Sequence, residues 1–224
     1  MSPTLMIVLL WLAFAASHLA LSSLNLRPRL VAVLGEKGFM GAYSLIALAI
    51  FVPMVTIYFD NKHAGPMLWS VAMTPPLEAL VTIAMGVAVL ILVAGLITPS
   101  PASLSVPAHK PVEVRGVHFI TRHAVFMSIG LFGLIHLIPN GFASDIAFFA
   151  GFPIFAVMGC VHQDQRKLVT DSKRYLEFHA ETPLIPFTGG RVLRGLREIS
   201  PIAYLAGIGL AITLRYFHAQ WFGG

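Results

Sequence analysis

The chain has 224 residues, of which 57% are hydrophobic and only 11% charged, and its mean hydropathy is +0.80. A water-soluble domain of this size cannot cover its surface with so little charge, so the chain is read as an all-α, polytopic membrane protein. Fifteen basic against ten acidic residues leave a net charge of +5, and the single Cys160 excludes an internal disulfide and any cysteine-based cluster; a metal or cofactor therefore has to use the nine histidines.

Runs with little or no charge predict six transmembrane helices; the first three are long enough outright to cross about 30 Å of hydrocarbon, the fourth and fifth are shorter, and the sixth is bounded by Pro201 and Arg215. They fall near 4–24, 39–59, 79–98, 117–138, 144–161 and 199–217, within one integral membrane domain over 1–224. The first run lacks a basic leader and a small-residue cleavage site, so a removable signal peptide is not expected. Ser17, His18 and Ser22 interrupt it. A histidine at that depth either bonds to a neighbouring helix or serves as a ligand, and the two readings carry comparable weight.

Between the first two spans, Pro28 and Gly35 bracket a short basic and apolar stretch that reads as an interfacial helix. Small residues at Gly38, Gly41 and Ala42 open the second span to close helix contact, and Pro53 is expected to kink it. In the loop that follows, Trp69 reads as an interfacial anchor and His63 as a solvated residue. The third span, with Thr82, Gly86, Gly95 and Thr98, reads as packing material. A Pro- and Ser-rich segment containing His109 then connects it to the fourth and can move or fold over a site.

The stretch from Gly116 to Gly141, GVHFITRHAVFMSIGLFGLIHLIPNG, is where chemistry is expected. Polar groups inside lipid are costly and are therefore usually functional. Here His118, Arg122, His123 and His136 stand in an otherwise apolar run that stops at Pro139-Asn140-Gly141. His123 and His136 are about 20 Å apart along an ideal helix and about 140° apart around it, so they cannot serve one ordinary cofactor together. The Arg122–His123 pair lies at the inner surface, where it can meet a lipid phosphate or a cofactor carboxylate. His136, with Asn140 one turn beyond, reads as a ligand or catalytic residue.

The fifth span delivers His162, Gln163, Asp164, Gln165, Arg166 and Lys167 to the inner side. After it, Tyr175, Phe178 and the Pro183–Phe187 patch read as a membrane-surface element, His179 as a surface residue, and Thr188 to Arg191 as a turn. With six spans, thirteen of the fifteen Lys and Arg residues fall on one side and only Lys62 and Arg215 on the other. This asymmetry places both termini outside. It also explains the basic pI through anionic lipid headgroups rather than nucleic acid.

His18 with Ser22 in the first helix, LGEKGFMGAYSLIA at the second, TRH followed by HLIPNG in the fourth, then YLEFHAETPLIPF and GGR, together resemble the NnrU family of bacterial inner-membrane proteins. The plant 15-cis-ζ-carotene isomerase is among that family's relatives. The resemblance implies a polytopic protein that binds haem b through histidines. In the bacterial members it implies a link to denitrification and nitric oxide reductase, and in the isomerase branch haem-controlled cis–trans isomerisation of an apolar isoprenoid.

Motif positions put the implied ligand pair on His18 and His136, with His123 as the RH-motif residue and Ala124 where the family usually has proline. Counted by depth, His123 matches His18 better than His136 does, so all three stand as candidate iron ligands. Arg122, Arg115 or Arg27 would meet the propionates, and a gas or an isoprenoid would be the ligand. The same helix is also similar to membrane methyltransferases of the isoprenylcysteine type, which use S-adenosylmethionine, although Asp164-Gln165 stand where those enzymes have paired glutamates. A non-catalytic assembly factor for nitric oxide reductase is a further reading.

Overall fold

The structure, a computed structural model, describes residues 1–103 and 113–223. The centre of the Pro- and Ser-rich segment, with His109 and Lys110, lies outside the described residues. Those described form eight α-helices and no strand: α1 (Pro3–Leu21), α2 (Leu26–Asp60), α3 (Pro75–Ile97), α4 (Ala124–Leu137), α5 (Ala143–Thr170), α6 (Ser172–Glu181), α7 (Val192–Glu198) and α8 (Pro201–Phe222). A short 3-10 turn covers Gly116–Phe119.

The helix starts follow from local chemistry. Ser2 caps α1 by accepting from the Leu5 amide at 3.3 Å, and Ser200 caps α8 by accepting from Ala203 at 3.1 Å. Each is followed by proline at the first helical position, where a missing N–H costs nothing. The expected interfacial helix is the first part of α2, which breaks at Gly35, held at φ +70°. Only glycine takes that angle cheaply. Pro53 stays inside the helix.

Five helices, α1, α2, α3, α5 and α8, are long and apolar enough to cross a membrane. α4 is apolar but has 14 residues, about 21 Å of rise. It starts at Ala124 rather than near 117, because the preceding backbone is paired elsewhere. The Arg122 amide donates to Pro183 O at 2.9 Å, Thr121 Oγ1 donates to Leu184 O at 2.6 Å, and the Phe187 amide donates to Ile120 O at 3.1 Å. These bonds hold the 183–187 segment as a strap and replace the first helical turns.

The described residues pack as two compact units. One consists of residues 1–72 and 136–155 and has an aromatic core. Trp11 donates its indole N–H to Phe148 O at 3.1 Å and meets Phe152 edge-on at 5.0 Å, while Tyr58 stacks on Phe148 at 4.0 Å. A Cβ at Gly151 would fall inside the Trp11 indole. The loop after α2 pairs with the α4–α5 turn, Leu68 N donating to Gly141 O at 2.8 Å and Ala143 N to Pro66 O at 3.0 Å. Trp69 donates its indole N–H to Leu137 O at 3.0 Å.

The other unit, residues 73–135 and 156–224, is built on α3 packed against α8. Its core is Ile91, Ala94, Val117, Ile120, Ala124, Ile199 and Ala203. Lipid tails are as apolar as these side chains, so helix association in a bilayer depends on close packing rather than on escape from water. Gly95 and Gly207 supply that closeness: a Cβ at Gly95 would come within 2.7 Å of Ala124 Cβ, and one at Gly207 within 2.9 Å of Leu90. Large apolar side chains such as Leu96, Ile202, Leu205 and Ile212 stay on the outside, as lipid-facing residues should.

Candidate functional site

Two histidine-centred arrangements stand out, one in each unit. In the second unit the strap brings Arg122 and His123 to the last turns of α5, where Asp164 is the hub. Its Oδ2 accepts from Arg122 Nε at 2.8 Å and lies 2.7 Å from the terminal nitrogen Nη2 of the same guanidinium. Its Oδ1 accepts from His123 Nε2 and from the Tyr175 hydroxyl, both at 2.6 Å. Arg122 Nη1 donates onward to Thr182 O at 2.8 Å, and His179 Nε2 stands 3.7 Å from Oδ2.

The cluster is almost sealed, with side-chain exposures of 9% for Arg122, 6% for Asp164 and 1% for His123. His179, at 32%, is its most open member. A carboxylate and a guanidinium cancel each other's charge, and each remaining lone pair of Asp164 meets a donor, so the pair meets the condition for burial. Burial, reinforced by the hydrogen bond to Asp164, pushes the Tyr175 phenol far above the ordinary tyrosine range. Burial and the Arg122 charge hold His179 below the ordinary histidine value, against the pull of Asp164. α6 supplies Tyr175 and Phe178 from one face, which also closes over Ala102.

A ring nitrogen that donates to a carboxylate cannot bind iron through the same atom. His123 uses Nε2 in this way, so any bond to a metal would have to come from Nδ1 of a ring that is 1% exposed.

The first unit places His18 two turns after Trp11 on α1. Its Nδ1 lies 2.9 Å from Phe14 O. A carbonyl can only accept, so in the neutral ring Nδ1 carries the proton and Nε2 carries the lone pair. This is the tautomer in which histidine ligates metals, with the other nitrogen fixed by a backbone carbonyl. The ring is half-buried among aromatics, with Phe14 at 4.0 Å, Tyr43 at 4.8 Å and Phe155 at 5.2 Å between centroids.

His136, in the last turn of α4, stacks on Phe149 at 4.7 Å. Asn140 donates its side-chain amide to His136 O at 2.8 Å and so closes the end of α4. His18, His136 and Asn140 therefore belong to one unit, and Arg122 and His123 to the other. Among the described residues no group of three or more His, Cys, Asp and Glu side chains is arranged to hold a bare metal ion; a haem needs only one or two axial nitrogens, and His18 fits that demand.

Sequence reasoning passed over Asp164 as a hub and Asp145 altogether. The signal was present, since Asp145 and Asp164 are the two acidic residues of a helix long enough to cross a membrane, and an ionisable group there marks a site by default. His63, expected to be simply solvated, is held by the fully buried Asp145: His63 Nδ1 lies 2.7 Å from its Oδ2.

A helical, multi-pass membrane protein with paired polar groups buried among apolar helices is the class these features define. The model of the family described as NnrU protein matches residues 6–224. The chain belongs to the NnrU family. No curated protein and no solved structure matches it significantly.

Proposed function

We propose that this protein binds haem b within the membrane, with His18 as an axial ligand and His136, from the same unit, as the second. The observation that carries the reading is the His18–Phe14 bond, which fixes the ring and leaves Nε2 with its lone pair. Phe14, Tyr43 and Phe155 pack around the imidazole and make its surroundings apolar and aromatic. His123 and Arg122 are not part of this proposed ligand set; both bond to Asp164 in the other unit. When bound, the haem would supply one-electron and gas-binding chemistry, with its potential set by the two imidazoles and the apolar surroundings.

The family points to nitric oxide and denitrification metabolism in a bacterial inner membrane, with haem-dependent isomerisation of an isoprenoid as the related activity. With α4 counted as a short sixth crossing, both termini face the periplasm and the basic segments face the cytoplasm.

The test is the absorption spectrum of protein purified in detergent from haem-replete cells. A Soret band is expected, lost in His18→Ala and kept in His123→Ala. A colourless wild-type preparation, or a band indifferent to His18, overturns the reading. One observation favours the methyltransferase alternative: Arg122, His123, Tyr175 and His179 converge on Asp164. Binding of S-adenosylmethionine by a colourless preparation would move the assignment there, and neither result would leave the assembly role.

A further inference from the structure

α5 carries a second buried carboxylate, in its first turn. Asp145 is fully buried and accepts from the His63 amide at 3.1 Å; its other oxygen lies 2.7 Å from His63 Nδ1. The buried Tyr58 hydroxyl also bonds to it. Next to it, Ser144 Oγ accepts from the Ala64 amide at 2.9 Å. His63 itself adopts φ +56°. A residue with a Cβ takes that conformation only when its surroundings enforce it, and such strain collects at functional positions.

The pair at Asp164 uses the same two side-chain types in the opposite sense. There the histidine offers Nε2 to the carboxylate and the ring is sealed. At Asp145 the histidine offers Nδ1, so in the neutral ring the proton sits on Nδ1 and Nε2, the nitrogen turned away from the acid, carries the lone pair, on a side chain that is 53% exposed. A buried acid that orients an imidazole and leaves its far nitrogen accessible is the arrangement of a general base with its positioning partner.

We propose that His63 is an acid–base residue facing the aqueous phase, acting on a weakly acidic polar solute, with Asp145 as its positioning residue. In the step, the X–H bond of the solute breaks, its proton passes to Nε2, and the resulting imidazolium lies beside the Asp145 carboxylate. Return of the proton regenerates the site, and no further reactant is consumed. The site is separate from the haem reading and stands if that reading fails.

Diethyl pyrocarbonate, which acylates the unprotonated imidazole nitrogen, tests this with mass-spectrometric localisation on full-length protein in detergent. His63 is expected to react faster in the folded protein than in the same chain unfolded in dodecyl sulfate. A pair that only staples the loop would slow the reaction instead, because the folded ring is half covered. Asp145→Asn, whose amide can donate to Nδ1 and reverse the tautomer, is expected to slow acylation of His63 about tenfold. Slower reaction in the folded wild type overturns the proposal even if Asp145→Asn does not fold. An unchanged rate in a folded Asp145→Asn does so as well.

Discussion

Replacing Asp164 by asparagine keeps the shape of the hub and removes its charge. The Arg122 guanidinium, 9% exposed, then remains in the interior with only the Thr182 carbonyl and one amide oxygen as acceptors. Removing one member of a buried ion pair costs about 3–5 kcal/mol, because the other charge is left uncompensated. Tyr175→Phe removes one hydrogen bond to the same carboxylate and leaves both charges in place, at a cost of about 1.5–3 kcal/mol.

Unfolding in dodecyl sulfate or by heat, followed by tryptophan fluorescence, should therefore rank Asp164→Asn below Tyr175→Phe and both below wild type. The double variant Arg122→Met with Asp164→Leu removes both charges and should recover part of the loss, with His123 and Tyr175 left without their acceptor. An Asp164→Asn protein as stable as Tyr175→Phe would refute the view that the two charges depend on each other.

Gly151→Ala drives a methyl group into the Trp11 indole and should destabilise the protein by about 1–3 kcal/mol, read in the same unfolding assay; a neutral result would mean that α1 and α5 do not pack as described. His118 is 3% exposed, and burial, reinforced by the Arg115 charge, holds it below the ordinary histidine value against the opposing pull of the Thr98, Glu113 and Pro99 carbonyls. Below about pH 6.5 the unfolded chain therefore takes up a proton that the folded chain resists. Stability should fall with pH there, and the slope should flatten in His118→Gln; an unchanged slope contradicts the assignment. Cysteines introduced at Lys62 and at Arg191 should react with impermeant maleimide from opposite faces of the membrane, with the buried Cys160 silent; labelling of both from one face would overturn the arrangement of spans.

The apolar runs were enough to locate α1, α2, α3, α5 and α8, because crossing hydrocarbon leaves a helix no alternative to uninterrupted apolar sequence. Pro28 and Gly35 were also legible, since one suits a helix start and the other breaks α2 by a backbone angle that local sequence dictates. His18 could be singled out by depth alone. Its tautomer could not, because that depends on where Phe14 O lies.

What sequence could not supply is what distant partners decide. α4 starts at Ala124 because residues 183–187, some sixty positions on, take the hydrogen bonds of residues 120–122. Arg122 and His123 read as groups facing a lipid or a cofactor until folding places Asp164 between them. His63 reads as a loop residue until Asp145, 82 positions away, turns its Nδ1 inward. The hydrophobic pattern is a property of single helices and is written along the chain, whereas the pairing of a buried charge depends on which helices meet, and only the tertiary structure decides that.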